Sequence, residues 1–452
     1  MKIYNSLTRQ KQELVPHEEG LVRMYSCGPT VYSYPHIGNM RAYLFMDALR
    51  RTLKYNGYKI DGVMNITDVG HMTSDEDEGE DKMLVASKRE HKSPWEVAKY
   101  YTDIFMNETK RLNIDMPEHI CPATSVIPEI IVFVKTLLEK GFAYETSKGI
   151  YFDIATFPGY GKLGGVGIEN KLAGARIDID EEKRHPADFA LWIKAPKQHI
   201  MQWDSPWGKG YPGWHIECST IGIKYLGEYI DIHTGGVEHR PVHHENEIAQ
   251  DDAYAGHQVV SNWMHLEHLL VDGGKMSKSL GNVYKLDDLV AKGFSPEDYR
   301  YFFFTTHYAK QQNFTWEGLE SAKNALKSMK NILKEHKEST DNTKVKIDKA
   351  EKDFLEAIND DLNLPKALGI VWTLLKMPRD RKIYDAIIKF NQIFGFDFEG
   401  DIIPEEVQAL AKQRWAAKQN RDFASADELR NKISQLGFSV KDTKDGYEIV
   451  KN

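Results

Sequence analysis

Two short segments, far apart in the chain, carry residues suited to the chemistry of a triphosphate. The first is Lys275–Ser279, with the sequence KMSKS, in which Lys275 and Lys278 lie three positions apart. On a short loop, two such lysines can approach a triphosphate from one side and stabilise the charge that develops as pyrophosphate leaves. An isolated Lys-x-x-Lys is usually a solvated surface loop, but the full pentapeptide with the Gly-Asn that follows it favours the catalytic interpretation.

The second segment, His36–Asn39, has the sequence HIGN and lies where the first helix is predicted to begin. A helix N-terminus offers free N–H groups and the positive end of the helix dipole, so it favours phosphate. Gly38 would let an adenine or a ribose lie against the backbone, and His36 can hydrogen-bond phosphate oxygens around the α-phosphorus. A single His-x-Gly carries little weight, but together with the lysine segment it predicts an ATP-dependent active site.

Cysteine, histidine and glutamate side chains form a third candidate site. Cys27 follows a predicted strand, close to the segment that begins at His36, and Cys218 lies in a predicted helix. His243 and Glu247 are four residues apart, on one face of another helix. Two thiolates, one imidazole and one carboxylate are a plausible ligand set for Zn²⁺.

Sequence spacing alone leaves this metal site open, because its ligands come from three distant segments. His244 and Glu245 are rival ligands within the same stretch of chain. A buried cysteine more often packs as a small apolar side chain than binds a metal. Cys121 lies outside every motif, and we interpret it as a packing residue.

The elements that must position these residues follow an alternating pattern. Leu21–Ser26 reads as a strand, Ile37–Asn56 as an amphipathic helix that Gly57 ends, and Lys59–Ile66 as a second strand. Alternation resumes near Tyr229–His233, and a helix follows. Strand, helix and strand in succession favour a parallel sheet. We therefore predict a doubly wound α/β domain of the Rossmann type, interrupted by an insertion.

The composition is that of an ordinary globular protein. The chain has 452 residues, of which 41% are hydrophobic and 28% charged, with a formal net charge of −8. This length suggests about two to four domains. A run of about 18 apolar residues is absent, and so is an N-terminal signal sequence, so we expect a cytoplasmic protein without a membrane span. Three cysteines argue against a disulfide framework.

Although the net charge is negative, the chain has two basic patches, which are local clusters of basic residues. Five lysines step by four and three residues from Lys323 to Lys337, a pattern that is more often a solvated helix face than a binding site. Between Ala409 and Lys432, cations are interleaved with Trp415 and Phe423. Cations beside aromatic rings suit a folded nucleic acid, through phosphate contacts and base stacking.

The two triphosphate segments resemble the HIGH and KMSKS signatures of class I aminoacyl-tRNA synthetases, with Asn39 in place of the last histidine. From end to end, the chain is similar to the cysteinyl-tRNA synthetase family. The further matching segments are Cys27–Tyr32, Asn65–Asp68, Trp203–Gly208, Gly213–Ser219, His243–Gln250 and Arg421–Asp427.

The resemblance implies specific roles for residues of this chain. Zn²⁺ would be bound by Cys27, Cys218, His243 and Glu247, and the amino-acid pocket would be lined by Thr67 and Trp214. Catalysis would involve His36, Asn39, Lys275 and Lys278, and ATP would contact His36, Gly38, Asn39, Gly236, Glu238 and Lys278. Glu238 follows a glycine-rich strand end, where an acidic side chain often binds ribose. The zinc would separate cysteine from serine, since a soft thiolate binds it far better than a neutral hydroxyl does.

The resemblance also implies a division of the chain and a reaction. The expected parts are the first half of the catalytic domain (1–114), an insertion (115–199), the second half (200–285), a stem-contact linker (286–340) and an all-α anticodon-binding domain (341–452). The expected reaction is ATP-dependent ligation of L-cysteine to tRNA(Cys) through a cysteinyl-adenylate, with Mg²⁺ accompanying ATP. We expect a monomer with one zinc ion per chain.

Two other functions are compatible with parts of the sequence. A cysteine ligase acting on a small amine would share the activation chemistry, but such enzymes lack a C-terminal region of the kind present here. A non-catalytic RNA-binding relative would not need His36 and the two lysines, which are intact.

Overall fold

The computed structural model describes residues 1–70, 82–164, 182–196, 199–277, 281–340, 346–398, 404–436, 438–443 and 446–451. The chain divides into two compact units, Met1–Gly395 and Phe396–Asn452. Among the described residues, no helix combines the length and the apolar character that crossing a membrane requires.

The described strands are β1 (Lys2–Asn5), β2 (Gln10–Glu13), β3 (Leu21–Ser26), β4 (Lys59–Ile66), β5 (His119–Pro122), β6 (Ala143–Glu145), β7 (Gly149–Phe152), β8 (Phe189–Lys194), β9 (Gly210–Pro212), β10 (Ile230–Gly236), β11 (Val260–Leu266), β12 (Leu269–Val271), β13 (Gly274–Lys275), β14 (Gln312–Phe314), β15 (Phe438–Asp442) and β16 (Tyr447–Lys451).

The described helices are α1 (Ile37–Tyr55), α2 (Lys82–Glu90), α3 (Pro94–Arg111), α4 (Ile127–Glu139), α5 (Ile216–Leu226), α6 (His243–Ala255), α7 (Leu286–Ala291), α8 (Pro296–Phe304), α9 (Trp316–Glu338), α10 (Asp348–Asn359), α11 (Leu364–Leu375), α12 (Arg381–Phe394), α13 (Glu405–Gln419) and α14 (Phe423–Gln435). Short 3₁₀ turns lie at Ala123–Val126 and Ile154–Thr156.

The centre of the first unit is a five-stranded parallel sheet with the strand order β11-β10-β3-β4-β5. All seven residues of β10 are buried, as expected for a parallel strand covered on both faces. The order reverses beside β3, since β4 follows on one side and β10 on the other. The predicted Rossmann-type α/β fold is thereby confirmed, and the predicted bounds of β3 and β4 are those observed.

The segment between β5 and β10 forms a separate antiparallel sheet with the order β6-β7-β8-β9. This sheet extends to Pro212, whereas β5, at His119–Pro122, pairs with the central sheet. The predicted limits of the insertion, 115 and 199, stay a prediction.

The helices that follow the central sheet are tied to α1 by a buried ion pair. Arg300 in α8 contacts the carboxylate of Asp47 in α1, and both side chains are at most 1% exposed. Arg300 also donates hydrogen bonds to the carbonyl oxygens of Leu112 and Phe394. The C-terminal end of α12 and the C-terminal end of α3 are thus held against α1. Helices α10 to α12, although they lie beyond residue 341, belong to the first unit.

The second unit consists of α13, α14 and an antiparallel hairpin of β15 and β16. Its core contains Val407, Ala411, Ile433, Phe438 and Val440. The predicted helical C-terminal region is confirmed, and it ends in a hairpin that the sequence analysis did not anticipate.

Candidate active site and metal centre

The carboxyl ends of the central strands bring most of the predicted residues to one edge of the sheet. Ser26, the last residue of β3, is level with Met64 of β4 and Thr234 of β10. Cys27 follows directly, and its N–H donates to the carbonyl of Thr234 at 3.2 Å. Ligands of doubly wound sheets bind at this edge, beside the point where the strand order reverses.

The four predicted zinc ligands converge. One donor atom from each of Cys27, Cys218, His243 and Glu247 lies within 4.8 Å of all the others. His243 is the first residue of α6 and Glu247 lies one turn later, with Nε2 and Oε1 2.9 Å apart. The Cys218 Sγ is 3.5 Å from the same Nε2. Two sulfurs, one nitrogen and one oxygen at this spacing fit the coordination chemistry of Zn²⁺.

The rival ligand His244 also lies against the cluster. Its Nε2 is 3.2 Å from the Sγ of Cys27, and with His233 it completes a second possible set that shares Cys27 and Glu247. The Nε2 of His233 is 2.8 Å from Glu247 Oε2. No motif in the sequence pointed to His233. The same strand, β10, also contains the polar residues Asp231 and Thr234, so a polar residue in it was no specific signal.

The other rival, Glu245, has a different task. Its Oε1 accepts a hydrogen bond from the N–H of Gly161 at 2.6 Å, and its Oε2 accepts from Leu163 and Gly164 at 2.8 Å each. The carboxylate therefore anchors the glycine-rich loop that precedes residue 165. Cys121, interpreted as a packing residue, is buried in the hydrophobic core.

Burial and mutual contacts perturb the titration of the cluster. The hydrogen bond with Cys27, burial and the charge of Glu247 raise the pKa of the Cys218 thiol well above its usual value. Burial lowers the pKa of His243, but Glu247 and Cys218 outweigh it and raise that pKa to about 10. Burial opposes ionisation of Glu247, yet His233 and His243 hold its pKa below the usual range. A metal that binds here must displace protons from these groups.

Thr67 and Trp214, the predicted pocket residues, adjoin the cluster. The Thr67 hydroxyl donates to the carboxylate of Glu217 at 3.0 Å, and Glu217 precedes Cys218 in α5. The indole ring of Trp214 lies 4.6 Å from the imidazole of His243, tilted by 41°. Trp214 therefore contacts the cluster directly, and Thr67 reaches it through the residue that precedes Cys218.

His36 is the N-cap of α1. Its Nδ1 accepts a hydrogen bond from the N–H of Asn39, while Asn39 Oδ1 accepts from the N–H of His36, both at 3.1 Å. A Cβ atom at Gly38 would overlap the side chain of Met276. The two segments predicted to handle the triphosphate are thus neighbours, although about 240 residues separate them in the chain.

The lysine segment is partly described. Lys275 is exposed at the end of β13, and Asn282 braces the segment by accepting from the N–H of Ser277 at 2.8 Å and donating to the Lys275 carbonyl at 3.2 Å. Lys278 lies outside the described residues.

The predicted ribose contact is at the same edge. Gly236 ends β10, and the exposed carboxylate of Glu238 covers it so closely that a Cβ atom at Gly236 would overlap it. Glu238 Oε2 is 3.7 Å from Nδ1 of His268. The carboxylate is accessible, as binding to ribose hydroxyls requires.

Part of each basic patch is engaged within its own unit. In α9, Lys330 pairs with Glu297 at 2.6 Å, and Lys323 donates to the carbonyl of Gly293 at 3.1 Å. In the second unit, Arg414 and Lys418 both bind Asp442, at 2.8 and 2.6 Å. The second patch also has exposed members, namely Lys412, Arg421, Phe423, Arg430 and Lys432. Of these, Lys432 pairs with Glu428 at 2.7 Å.

Comparison with known protein families covers most of the chain. Residues 13–324 match the model described as the tRNA synthetases class I (C) catalytic domain. Residues 401–449 match the model of the cysteinyl-tRNA ligase anticodon binding domain.

Curated relatives are similar over nearly their full length. A cysteine–tRNA ligase of Treponema denticola is 42% identical, with 98% of each chain covered. A cysteine–tRNA ligase of Thermus thermophilus is 41% identical, again with 98% of each chain covered. Among solved structures, a methionyl-tRNA synthetase of Mycobacterium tuberculosis in complex with methionyl-adenylate has a TM-score of 0.56 at 13% identity, covering 83% of this chain and 88% of that one. At that identity the likeness shows the fold alone.

Proposed function

Because this chain belongs to the cysteine–tRNA ligase family of class I aminoacyl-tRNA synthetases, we propose that it uses ATP to join L-cysteine to tRNA(Cys) in two steps. The observation that carries the proposal is the meeting, at one edge of the sheet, of a thiol-rich donor cluster with the two triphosphate segments.

In the first step, the cysteine carboxylate attacks the α-phosphorus of ATP, which gives cysteinyl-adenylate and releases pyrophosphate. The positive end of the α1 dipole favours phosphate. His36 and Asn39, fixed to each other at that end, would hold the phosphate. Lys275 and Lys278 would stabilise the charge on the departing pyrophosphate, and Mg²⁺ would accompany ATP.

Gly236 and Glu238 would hold the nucleoside. The Glu238 carboxylate lies directly over Gly236 and is accessible to ribose hydroxyls. Catalysis would then consist of positioning and charge stabilisation, with no covalent bond between substrate and protein.

Selection of cysteine is the task we assign to the donor cluster. Cys27, Cys218, His243 and Glu247 would hold one zinc ion, whose chemistry when bound is to accept the sulfur of the substrate. Thr67 and Trp214 would enclose the rest of the amino acid. Since shape separates near-isosteres poorly, a sulfur-seeking site is what allows serine to be rejected.

In the second step, the 2′-hydroxyl of the terminal ribose of the tRNA, as the class I resemblance implies, attacks the carbonyl carbon of cysteinyl-adenylate. The ester bond forms as the anhydride bond to phosphate breaks, and AMP leaves. The second unit would bind the anticodon, which is supported by its match to an anticodon-binding family and by the exposed cations and Phe423. The same match speaks against a small-amine acceptor. We further propose that the protein acts as a monomer in the cytoplasm.

The decisive test is cysteine-dependent exchange between ATP and labelled pyrophosphate, with serine and methionine as control amino acids and with zinc assayed in the same preparation. We expect exchange with cysteine only and about one zinc per chain. Exchange supported equally by serine would contradict zinc-based selection, and a folded, zinc-loaded protein without exchange would contradict the activation step.

A further inference from the structure

Two exposed tyrosines lie beside the edge formed by the carboxyl ends of the central strands. They have no role in the reaction described so far. Tyr34 lies two residues before His36, and Tyr100 lies in α3. Tyr34 is 38% exposed and Tyr100 is 37% exposed. Together they present aromatic surface to the solvent beside the N-terminal end of α1.

The two rings are held in place by polar and aromatic contacts. The hydroxyl groups of Tyr34 and Tyr100 are 2.8 Å apart, and their ring centroids are 6.3 Å apart at 85°. Tyr34 also meets the buried Tyr101 edge-on, at 5.2 Å. The hydroxyl of Tyr101 in turn donates to Glu90 at 2.8 Å. The exposed rings are therefore a preorganised surface, which lowers the entropic cost of binding a ligand.

Two lysines bring positive charge to this surface. The Nζ of Lys285 lies 3.8 Å from the centroid of the Tyr34 ring, and the Nζ of Lys92 lies 4.0 Å from that of Tyr100. Exposed aromatic rings combined with cations are the composition of surfaces that bind single-stranded nucleic acid, where bases stack on rings and cations meet phosphates.

The position of this surface matches the route of the second substrate. The N–H of Ile37 donates to the carbonyl of Tyr284 at 2.9 Å, so Lys285 is fixed beside the start of α1. In the proposed function, the terminal ribose of the tRNA must reach this same edge. The unpaired nucleotides that precede it must then cross the adjoining surface.

We propose that Tyr34 and Tyr100, flanked by Lys285 and Lys92, form a stacking platform for the unpaired 3′ end of the tRNA. This inference rests on the proposed function, because it presumes that tRNA is the acceptor. A base that stacks on Tyr34 would keep the 3′ end extended towards the active site, while the lysines neutralise its phosphates.

The test compares two RNA probes, a full-length tRNA(Cys) transcript and the same transcript without its unpaired 3′ nucleotides. Dissociation constants are measured by fluorescence anisotropy at fixed salt. Tyr34→Ala should weaken binding of the full-length transcript about tenfold, which lies within the effect of losing one stacked base. It should leave binding of the trimmed transcript unchanged, and Tyr100→Ala should act in the same direction.

Two further variants separate stacking from other effects. Tyr34→Phe keeps the ring but loses the hydroxyl, and it should retain the affinity of the wild type. Tyr225→Ala removes a tyrosine that is 36% exposed and has Lys224 5.8 Å from its ring. Tyr225 contacts His119 at the start of β5, and hence the opposite edge of the sheet. The Tyr225→Ala variant should bind both transcripts with the affinity of the wild type.

Equal weakening of both transcripts by Tyr34→Ala and Tyr100→Ala, or no weakening of the full-length transcript by either, would overturn the platform. Wild-type protein that binds both transcripts equally well would also overturn it. The proposed function is judged separately, by charging of the full-length transcript with cysteine by the wild type. If charging occurs while the variants fail to discriminate between the probes, only the platform is wrong.

Discussion

At the scale of single residues, the donor cluster offers the most direct test, because its four ligands come from three segments that are distant in the chain. Cys218→Ser should abolish cysteine-dependent exchange and greatly lower the zinc content. A neutral hydroxyl is a much poorer ligand than a thiolate, and Cys218 is one of only two sulfur donors in the set. Metal analysis and the exchange assay measure the two effects, and circular dichroism checks that the fold is retained.

Cys121→Ser is the matched control. Cys121 is also buried, but its Sγ is 3.4 Å from Ser125 Oγ and lies outside the donor cluster. This variant should keep both zinc and exchange. Full zinc content in Cys218→Ser would instead favour the second ligand set, in which His233 and His244 replace Cys218 and His243.

The same cluster shows what could be predicted for single residues. The family resemblance supplied His243 and Glu247, and their spacing of four on a helix agreed with it. Neither the resemblance nor the helical spacing pointed to His233, because its contact with Glu247 joins a strand to a helix. Glu245 could not be excluded from the sequence either, since its role depends on a loop about 80 residues earlier.

At the scale of elements, one carboxylate of α1, that of Asp47, joins the helix to its neighbours. Asp47 accepts from Arg51 and from the N–H of Asp115, at 2.7 Å each, and it pairs with Arg300. Asp47→Asn leaves the buried guanidinium of Arg300 without its counter-charge. Breaking such a buried pair from one side costs about 3–5 kcal/mol. We expect a markedly lower thermal unfolding midpoint, measured by calorimetry.

Asp103→Asn provides the comparison. Asp103 pairs with Lys99 at 2.8 Å within α3, but both side chains are well exposed. Exposed pairs of this kind contribute about 0.3–0.5 kcal/mol, so the unfolding midpoint should hardly move. Similar midpoints for the two variants would mean that the Asp47 pair does not stabilise α1.

The elements near the catalytic edge were predictable because their periodicity is strong. The apolar spacing and Gly57 predicted α1, and Gly57 has the positive φ of 88° that suits a helix stop. The hairpin of β15 and β16 was missed. Its first strand ends in Lys441 and Asp442, which resemble a solvated turn. Asp442 binds Arg414 and Lys418, which lie more than 20 residues earlier in the chain.

At the scale of the whole molecule, we expect the two units to have separable functions. Removal of residues 396–452 should spare cysteine-dependent exchange, because the described donor cluster and the His36 segment lie within the first unit. It should lower kcat/KM for tRNA charging by about a hundredfold or more, since linked binding regions reinforce each other on that scale. Exchange and charging assays on one preparation measure both effects.

The place of the cut is essential. A cut at residue 341 would also remove α10 to α12, which belong to the first unit, and the Phe394 carbonyl that Arg300 binds. Unchanged charging after removal of residues 396–452 would contradict the anticodon-binding role, and loss of exchange would contradict the independence of the first unit. The sequence indicated a helical C-terminal half, but helical periodicity alone cannot tell which helices share a core.

The double role of His36 has a consequence for any attempt to evolve a hardier form of this protein. His36 caps α1 and, in the proposed function, also holds the phosphate, whereas the preferred residues at a helix N-cap are asparagine, aspartate and serine. A screen for thermal stability alone would therefore favour variants in which His36 is replaced. The most stable of these variants would be folded but inactive. Helix stability and catalytic activity favour different residues at this position, so variants of His36 have to be selected for product formation.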